Sequence, residues 1–323
     1  MTEKPSPSTN PADALARHWT RRLPAPLLPY AQLARFDRPI GWQLLLLPCW
    51  MGIALESTQL GFWPRDYQHA LYFLIGAVAM RGAGCVFNDI VDRDIDAKVE
   101  RTKGRPLPSG RVRLWRAWAW LAALCAIGFG VLLALPRLAQ ITALIALPFV
   151  AVYPFMKRVT WWPQAWLGIV FAWGALVGGV ATADALTPET LFLYGGCFFW
   201  VMAYDTIYAL QDREDDALVG VKSTALLFKD RWRDWVLGFY AAALFLWSAA
   251  LYVGGAAWPS FVVLVMAAAL VIWPIFSRID DKDAATALAA FKANALIGLS
   301  ILIAFAFEPV WRMLQSYFLY GAG

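Results

Sequence analysis

Asn88, Asp92 and Asp96 recur at intervals of four at the end of a long apolar stretch, and 120 residues after Asp92 the pair Asp212 and Asp216 repeats the interval. At about 100° per residue, positions i, i+4 and i+8 of a helix fall within an arc of about 80°, so each set presents oxygen atoms along one face. Asp89 lies near the edge of the first face and Asp94 points away from it. Superposed, Asp92-Arg93-Asp94-Ile95-Asp96 and Asp212-Arg213-Glu214-Asp215-Asp216 share a pattern of Asp, Arg, acid, any residue, Asp. A carboxylate at the centre of a membrane helix costs about 2.5 to 3.5 kcal/mol, so acids clustered beside apolar spans mark a functional cavity. Two carboxylate stripes repel unless cations lie between them. Oxygen donors without nearby His or Cys favour a hard ion, and Mg2+ is commonly held by one or two carboxylates and completed by phosphate oxygens and water.

Basic residues follow both clusters: Arg101, Lys103 and Arg105 after the first, Lys222 after the second. Acid-held magnesium flanked by Arg and Lys suits a diphosphate, with the metal bridging oxygens and the cations neutralising charge on departure. The plainer alternative is a solvated, salt-bridged loop, which the repeated spacing disfavours. Arg81 lies seven residues before Asn88 on the same face and about 10 Å deeper, at 1.5 Å per residue. A buried Arg must meet a partner or a cavity. It either pairs with an acid such as Asp205, which shares the side of Asp212, or receives an anionic acceptor in a pocket that Asp205 also lines. Arg38, at the start of the first apolar run, competes for the acceptor role. Tyr153 and Lys157, four apart, either present a phenol and an ammonium to the diphosphate or serve as interfacial anchors.

The elements that must carry these residues are membrane helices. Hydrophobic residues make up 60% of the 323-residue chain, charged residues 16%, and there are 18 Trp. Runs of about 20 apolar residues, enough for a 30 Å hydrocarbon core, predict an all-α polytopic fold of nine spans around a central cavity. The expected limits are 38–56, 68–88, 114–135, 138–156, 162–183, 189–210, 234–254, 257–277 and 289–308. Lys and Arg concentrate in the links after spans two, four, six and eight, which places the N-terminus and both acidic motifs in the cytoplasm. The net charge of +5 reflects that asymmetry, and no nucleic-acid surface is expected. Residues 1–30, rich in Pro, Ser and Ala, are expected to be a disordered lead-in to a membrane domain over 31–323. That lead-in lacks a secretory core; a mitochondrial transit peptide, and with it a mitochondrial inner membrane, is the lesser alternative, since the segment is short for one and carries Glu3 and Asp13. Cys49, Cys85, Cys125 and Cys197 have no ligand spacing and are expected to be small core residues.

Asn88-Asp89-x-x-Asp92-x-x-x-Asp96 resembles the N-D-x-x-D-x-x-x-D signature of the UbiA superfamily of intramembrane prenyltransferases. Asp212-x-x-x-Asp216 resembles its second motif, and Tyr153-x-x-x-Lys157 its Y-x-x-x-K motif. The likeness covers residues 30 to 310. Within the superfamily, Arg35-Phe-Asp-Arg38-Pro-Ile-Gly-Trp-Gln, Arg81-Gly-Ala-Gly-Cys-Val-Phe-Asn88-Asp89, Arg105-Pro-Leu-Pro-Ser-Gly, Tyr204-Asp205-Thr-Ile-Tyr208-Ala-Leu-Gln-Asp212 and Gly220-Val-Lys222-Ser-Thr224 resemble the branch that prenylates 4-hydroxybenzoate. The resemblance implies magnesium held by Asn88, Asp89, Asp92, Asp96, Asp212 and Asp216, with Arg101, Arg105, Lys157 and Lys222 on the leaving diphosphate. It also implies a polyprenyl diphosphate donor whose tail lies among membrane lipid, a 4-hydroxybenzoate acceptor, a place early in ubiquinone synthesis, and a bacterial inner membrane. Another aromatic acceptor within the superfamily remains open. A cation channel or transporter is the rival from a different class, against which the basic loops after both acidic motifs argue.

Overall fold

The computed structural model describes residues 18–97, 102–211, 213 and 220–320. The helices in chain order are α1 (Leu28–Leu33), α2 (Ile40–Glu56), α3 (Pro64–Val91), α4 (Arg93–Asp96), α5 (Leu114–Leu133), α6 (Arg137–Val159), α7 (Pro163–Ala183) and α8 (Pro188–Leu210). They continue as α9 (Thr224–Phe228), α10 (Trp232–Val253), α11 (Trp258–Ala267), α12 (Trp273–Ser277) and α13 (Ala284–Tyr320). The described residues contain no strand. The protein is an all-α polytopic membrane protein: among the described residues, eight helical segments are long and apolar enough to cross a bilayer, and α2 is a shorter apolar helix. Each of the nine expected apolar runs falls on one of these segments. Within the lead-in, a 3-10 turn covers Trp19–Arg22 and α1 begins at Leu28.

Helix ends follow local chemistry. Pro stands in the first turn of α7, α8, α11 and α12, where its missing N–H costs nothing. Thr187 caps α8 by accepting the Thr190 N–H at 3.2 Å. Between α11 and α12 the helix loosens into a π segment, Ala268–Ile272, ahead of Pro274, which has no N–H to offer the preceding turn. The last helix runs 37 residues and passes through Pro309, well beyond the expected 289–308. An i,i+4 pair between Arg312 and Glu308 at 3.0 Å lies on that extension.

The chain forms two units. In the first, made of described residues up to Trp42 together with Ile75–Gly130, Leu33, Ala34, Ala83, Val86, Leu107 and Leu124 form a buried core. Tyr30 and Phe36 pack against it and meet Trp120 edge-on. In the second, made of Gln43–Leu74 and the described residues from Val131 onward, α8 packs on α7, α10 and α13, and α6 packs on α7. The α2 and α7 backbones approach closely there: a Cβ on Gly178 would collide with the Cys49 carbonyl. Cys49, Cys85 and Cys197 are buried as expected, but Cys125 is exposed on α5. A helix that buries little of itself inside the protein leaves its small residues to the lipid, which corrects the core assignment for Cys125.

Candidate functional site

The first acidic motif straddles a helix end. α3 stops at Val91 and the single turn α4 follows, yet the Asp92 N–H donates to the Asn88 carbonyl at 2.9 Å and the Asp96 N–H to the Asp92 carbonyl at 2.8 Å. Helical spacing therefore persists through the junction, and the i, i+4, i+8 stripe forms as expected. The Asn88 side-chain amide donates to Asp92 Oδ2 at 3.3 Å. Asp92 and Asp96 are both buried.

Asp89 has a different setting from its motif neighbours. It is fully buried, and its Oδ1 accepts from Arg35 Nη2 at 2.7 Å and from Arg105 Nη1 at 3.4 Å. The same Arg105 Nη1 donates to Asp96 Oδ2 at 2.7 Å. One arginine thus ties two motif acids together, while a second secures the deeper one. Its second oxygen, Oδ2, is buried and has no hydrogen-bond partner among the described residues. Through Oδ1, Asp89 holds Arg35 and Arg105 in place beside the oxygen donors of Asn88, Asp92 and Asp96.

Arg35, absent from the candidates drawn from spacing, is the arginine that reaches Asp89. It has φ +58°, in the left-handed region, just past the end of α1. The Phe36 N–H closes that end on the Ala31 carbonyl at 3.0 Å, the position after a helix where glycine is usual. A side chain in that conformation costs about 1 to 2 kcal/mol. The ion pair to Asp89 offsets it. In the sequence Arg35 stands at the head of the Arg35-Phe-Asp-Arg38 string, which gives no sign of this role.

Arg81 stands ten residues before the end of α3, half-buried, with its guanidinium laid against Gly41. A Cβ at Gly41 would lie 2.5 Å from Arg81 Nε, so the bare backbone there makes room for it. Arg38, three residues earlier in the chain, pairs with Asp37 at 3.4 Å. The two arginines proposed for an anionic acceptor therefore come from one neighbourhood of the first unit.

In the second unit, Tyr153 and Lys157 lie one turn apart near the end of α6, both half-buried. The Lys222 N–H donates to the Lys157 carbonyl at 3.1 Å, and Lys222 Nζ donates to the Val159 carbonyl at 3.2 Å while standing 5.9 Å from the Trp161 ring. The lysine that follows the second motif is thus seated on the end of α6 beside Lys157. Asp205 is half-buried on α8, between Tyr204 and Thr206, both buried. Arg101, Asp212 and Asp216 lie outside the described residues. Arg213 pairs with Asp281 at 3.6 Å.

Among the described residues, no three His, Cys, Asp or Glu side chains converge as a complete metal cage. The first motif offers a partial one: two carboxylates and a carboxamide on one face, all hard oxygen donors, with a guanidinium alongside. That donor chemistry fits magnesium completed by phosphate oxygens, and it does not fit zinc or copper.

Residues 45–304 match the model of the UbiA prenyltransferase family. The chain is 44% identical over 262 residues to 4-hydroxybenzoate geranyltransferase 2 of Lithospermum erythrorhizon, covering 79% of this chain and 82% of that one. It is 39% identical over 290 residues to the mitochondrial 4-hydroxybenzoate polyprenyltransferase of Rattus norvegicus, covering 90% and 77%. The structure of a UbiA homolog from Archaeoglobus fulgidus bound to GPP and Mg2+ is similar in fold, with TM-score 0.65, 21% identity, and 87% and 99% of the two chains covered. Further animal and plant relatives are also mitochondrial by name. These relatives overturn the expectation of a bacterial inner membrane. Span lengths and the bias of Lys and Arg report the bilayer and its two faces, not the organelle that contains it.

Proposed function

Because the chain belongs to the UbiA prenyltransferase family, we propose that it transfers a polyprenyl group from a polyprenyl diphosphate to the 3-position of 4-hydroxybenzoate, as in ubiquinone synthesis. The observation that carries this reading is the oxygen-only stripe of Asn88, Asp92 and Asp96 with Arg105 bound directly to it at 2.7 Å from Asp96. Acid and base are interleaved there as a metal-bound diphosphate requires. The names of relatives 44% and 39% identical supply the acceptor. In this reading α2 and the eight longer apolar segments all cross the bilayer, and both acidic motifs face its Lys- and Arg-rich side.

Asn88, Asp92 and Asp96, with Asp212 and Asp216 of the second motif, are the residues that would hold magnesium. When bound, the ion shields the diphosphate oxygens and makes diphosphate a better leaving group. Arg101, Arg105, Lys157 and Lys222 neutralise the charge that grows on the diphosphate as the allylic C–O bond breaks and its electron pair leaves with oxygen. Tyr153 donates a hydrogen bond to the same group. Arg81, deeper along α3, binds the acceptor carboxylate in two-point fashion, with Arg38 as the competing candidate and Asp205 at the pocket wall. The ring carbon ortho to the phenol then forms a bond to the allylic carbon, and loss of the ring proton restores aromaticity. Protein that encloses the allylic centre excludes water, which would otherwise capture the cation.

Mass spectrometry of membranes carrying the protein, incubated with 4-hydroxybenzoate and prenyl diphosphates of graded length, tests this. Prenylated hydroxybenzoate should form with magnesium and stop with EDTA. Failure of every donor to give product would overturn the proposal.

A further inference from the structure

Gln164 occupies the first turn of α7, where a polar side chain has solvent within reach, yet it is 5% exposed. Burying an amide is unfavourable unless it is hydrogen-bonded. Its Oε1 accepts the Thr224 N–H at 3.0 Å, from the start of the short helix that follows Lys222. Thr224 Oγ1 in turn lies 2.8 Å from Thr206 Oγ1, and both threonines are fully buried. On the other side of Lys222, Gly220 takes φ +74° and turns the chain. The Lys222 N–H then reaches the Lys157 carbonyl. Three elements thus pin the segment at the lysine and two residues after it: α6 holds the Lys222 N–H through the Lys157 carbonyl, and α7 and α8 hold Thr224 through Gln164 and Thr206.

The pins are uncharged. Lys222 and Lys157 both carry positive charge, and repulsion would favour the segment moving away from α6. A carboxylate anchor would oppose that, but it would also neutralise the ammonium group. Neutral hydrogen bonds to the backbone fix the segment and leave its charge available. Among the described residues, Lys222 Nζ gives one of the three hydrogens of its ammonium group, to the Val159 carbonyl.

We propose that Gln164 is a positioning residue for donor binding: through the Thr224 amide, and together with Thr206, it holds Lys222 beside Lys157 for the diphosphate. This inference rests on the reading that Lys222 meets the donor diphosphate. Gln164 itself touches no substrate. Its loss should therefore appear in the concentration of donor required rather than in turnover at saturation.

The test uses the purified full-length protein in lipid nanodiscs, with geranyl diphosphate as the donor probe and 4-hydroxybenzoate saturating. Gln164→Leu should raise the donor KM about tenfold, with kcat within about threefold of the parent, as expected for a lost buried hydrogen bond that acts on binding. Gln164→Glu keeps an oxygen that can accept from Thr224 in either protonation state, so it should restore the order of the segment, while the added carboxylate leaves the donor KM above that of the parent. Without substrate, hydrogen exchange at residues 220–228 should speed up in Gln164→Leu and return toward normal in Gln164→Glu. In a Lys222→Ala background, Gln164→Leu should add little to the donor KM. If Gln164→Leu does not fold, Gln164→Asn, which withdraws the acceptor by one methylene, takes its place in every arm. A Lys222→Ala variant with unchanged donor KM would remove the reading beneath the inference. An impaired Lys222→Ala variant on which Gln164→Leu acts with full additivity would overturn the inference alone.

Discussion

The stretches that follow the two acidic motifs have similar sequence chemistry and different supports. After the first motif, Arg105 is held by charge, bridging Asp96 at 2.7 Å and the buried Asp89 at 3.4 Å. After the second, Lys222 is held by its backbone and by neighbours that carry no charge. The first arrangement couples binding to structure, because the arginine that would face a diphosphate already balances two acids. The second separates them, since the groups that fix the segment differ from the group that would meet the substrate. Substitution of Arg105 or of Asp89 should therefore damage both folding and activity, and substitution around Lys222 mainly donor affinity.

The largest expected effect is at Asp92. It is buried and projects from the helix junction as the middle donor of the stripe. Asp92→Ala should abolish prenyl transfer while the protein still inserts and elutes as a single species. Near-normal product formation by that variant at limiting magnesium would exclude the metal role. The effect of Asp89→Ala should differ in kind. It takes one acid from Arg35 and removes one of the two acids that hold Arg105, and loss of one side of a buried ion pair costs about 3 to 5 kcal/mol. Thermal unfolding in detergent should show a marked drop, partly relieved by adding Arg35→Gly, which removes one of the two guanidiniums that faced Asp89 and suits the left-handed backbone at that position. If Asp89→Ala retained full stability and lost only magnesium dependence, Asp89 would return to the ligand set.

These differences were unevenly legible in the sequence. Apolar run length located every long helix, because the hydrocarbon thickness sets that length directly. It missed where the helices really stop. α3 extends to Val91, and α13 continues to Tyr320 through Pro309, since a charged residue or an isolated proline ends an apolar run without ending a helix. The first motif was readable because its periodicity is that of the helix itself, and the i→i+4 bonds carry it across the break. Arg35 and Gln164 were not readable. Their partners lie 54 and 60 residues away, and pairing at such range depends on how helices pack, which no local spacing encodes. Arg81 fell between these cases: its depth was visible, but the bare Gly41 backbone that accommodates it was not.

A smaller effect separates two residues within the second region. Lys157 and Tyr153 share one side of α6, so an interfacial-anchor role would make their substitutions similarly mild. If both face the diphosphate, Lys157→Ala should raise the donor KM clearly more than Tyr153→Phe, because a charge facing a dianion contributes more than a neutral hydrogen bond. A donor titration of the two variants measures the difference. Equal and slight shifts would return both to the membrane interface.

The smallest shift concerns the acceptor, and it sharpens the contrast by asking whether the first region also selects the second substrate. Arg81 is half-buried on α3, with its guanidinium against the backbone of Gly41. A planar fork held in one orientation can meet a carboxylate through two parallel N–H bonds, whereas the ammonium of lysine offers a single point of charge. Arg81→Lys keeps the charge and loses that geometry, so the KM for 4-hydroxybenzoate should rise several-fold, by about 1 kcal/mol of binding, while the donor KM stays near its starting value. Kinetics with both substrates varied will separate the two constants. An unchanged acceptor KM in a well-folded variant would move the carboxylate to Arg38, which pairs with Asp37 at 3.4 Å. A loss of folded protein, by contrast, would place Arg81 with Arg35 among the residues that hold the first region together.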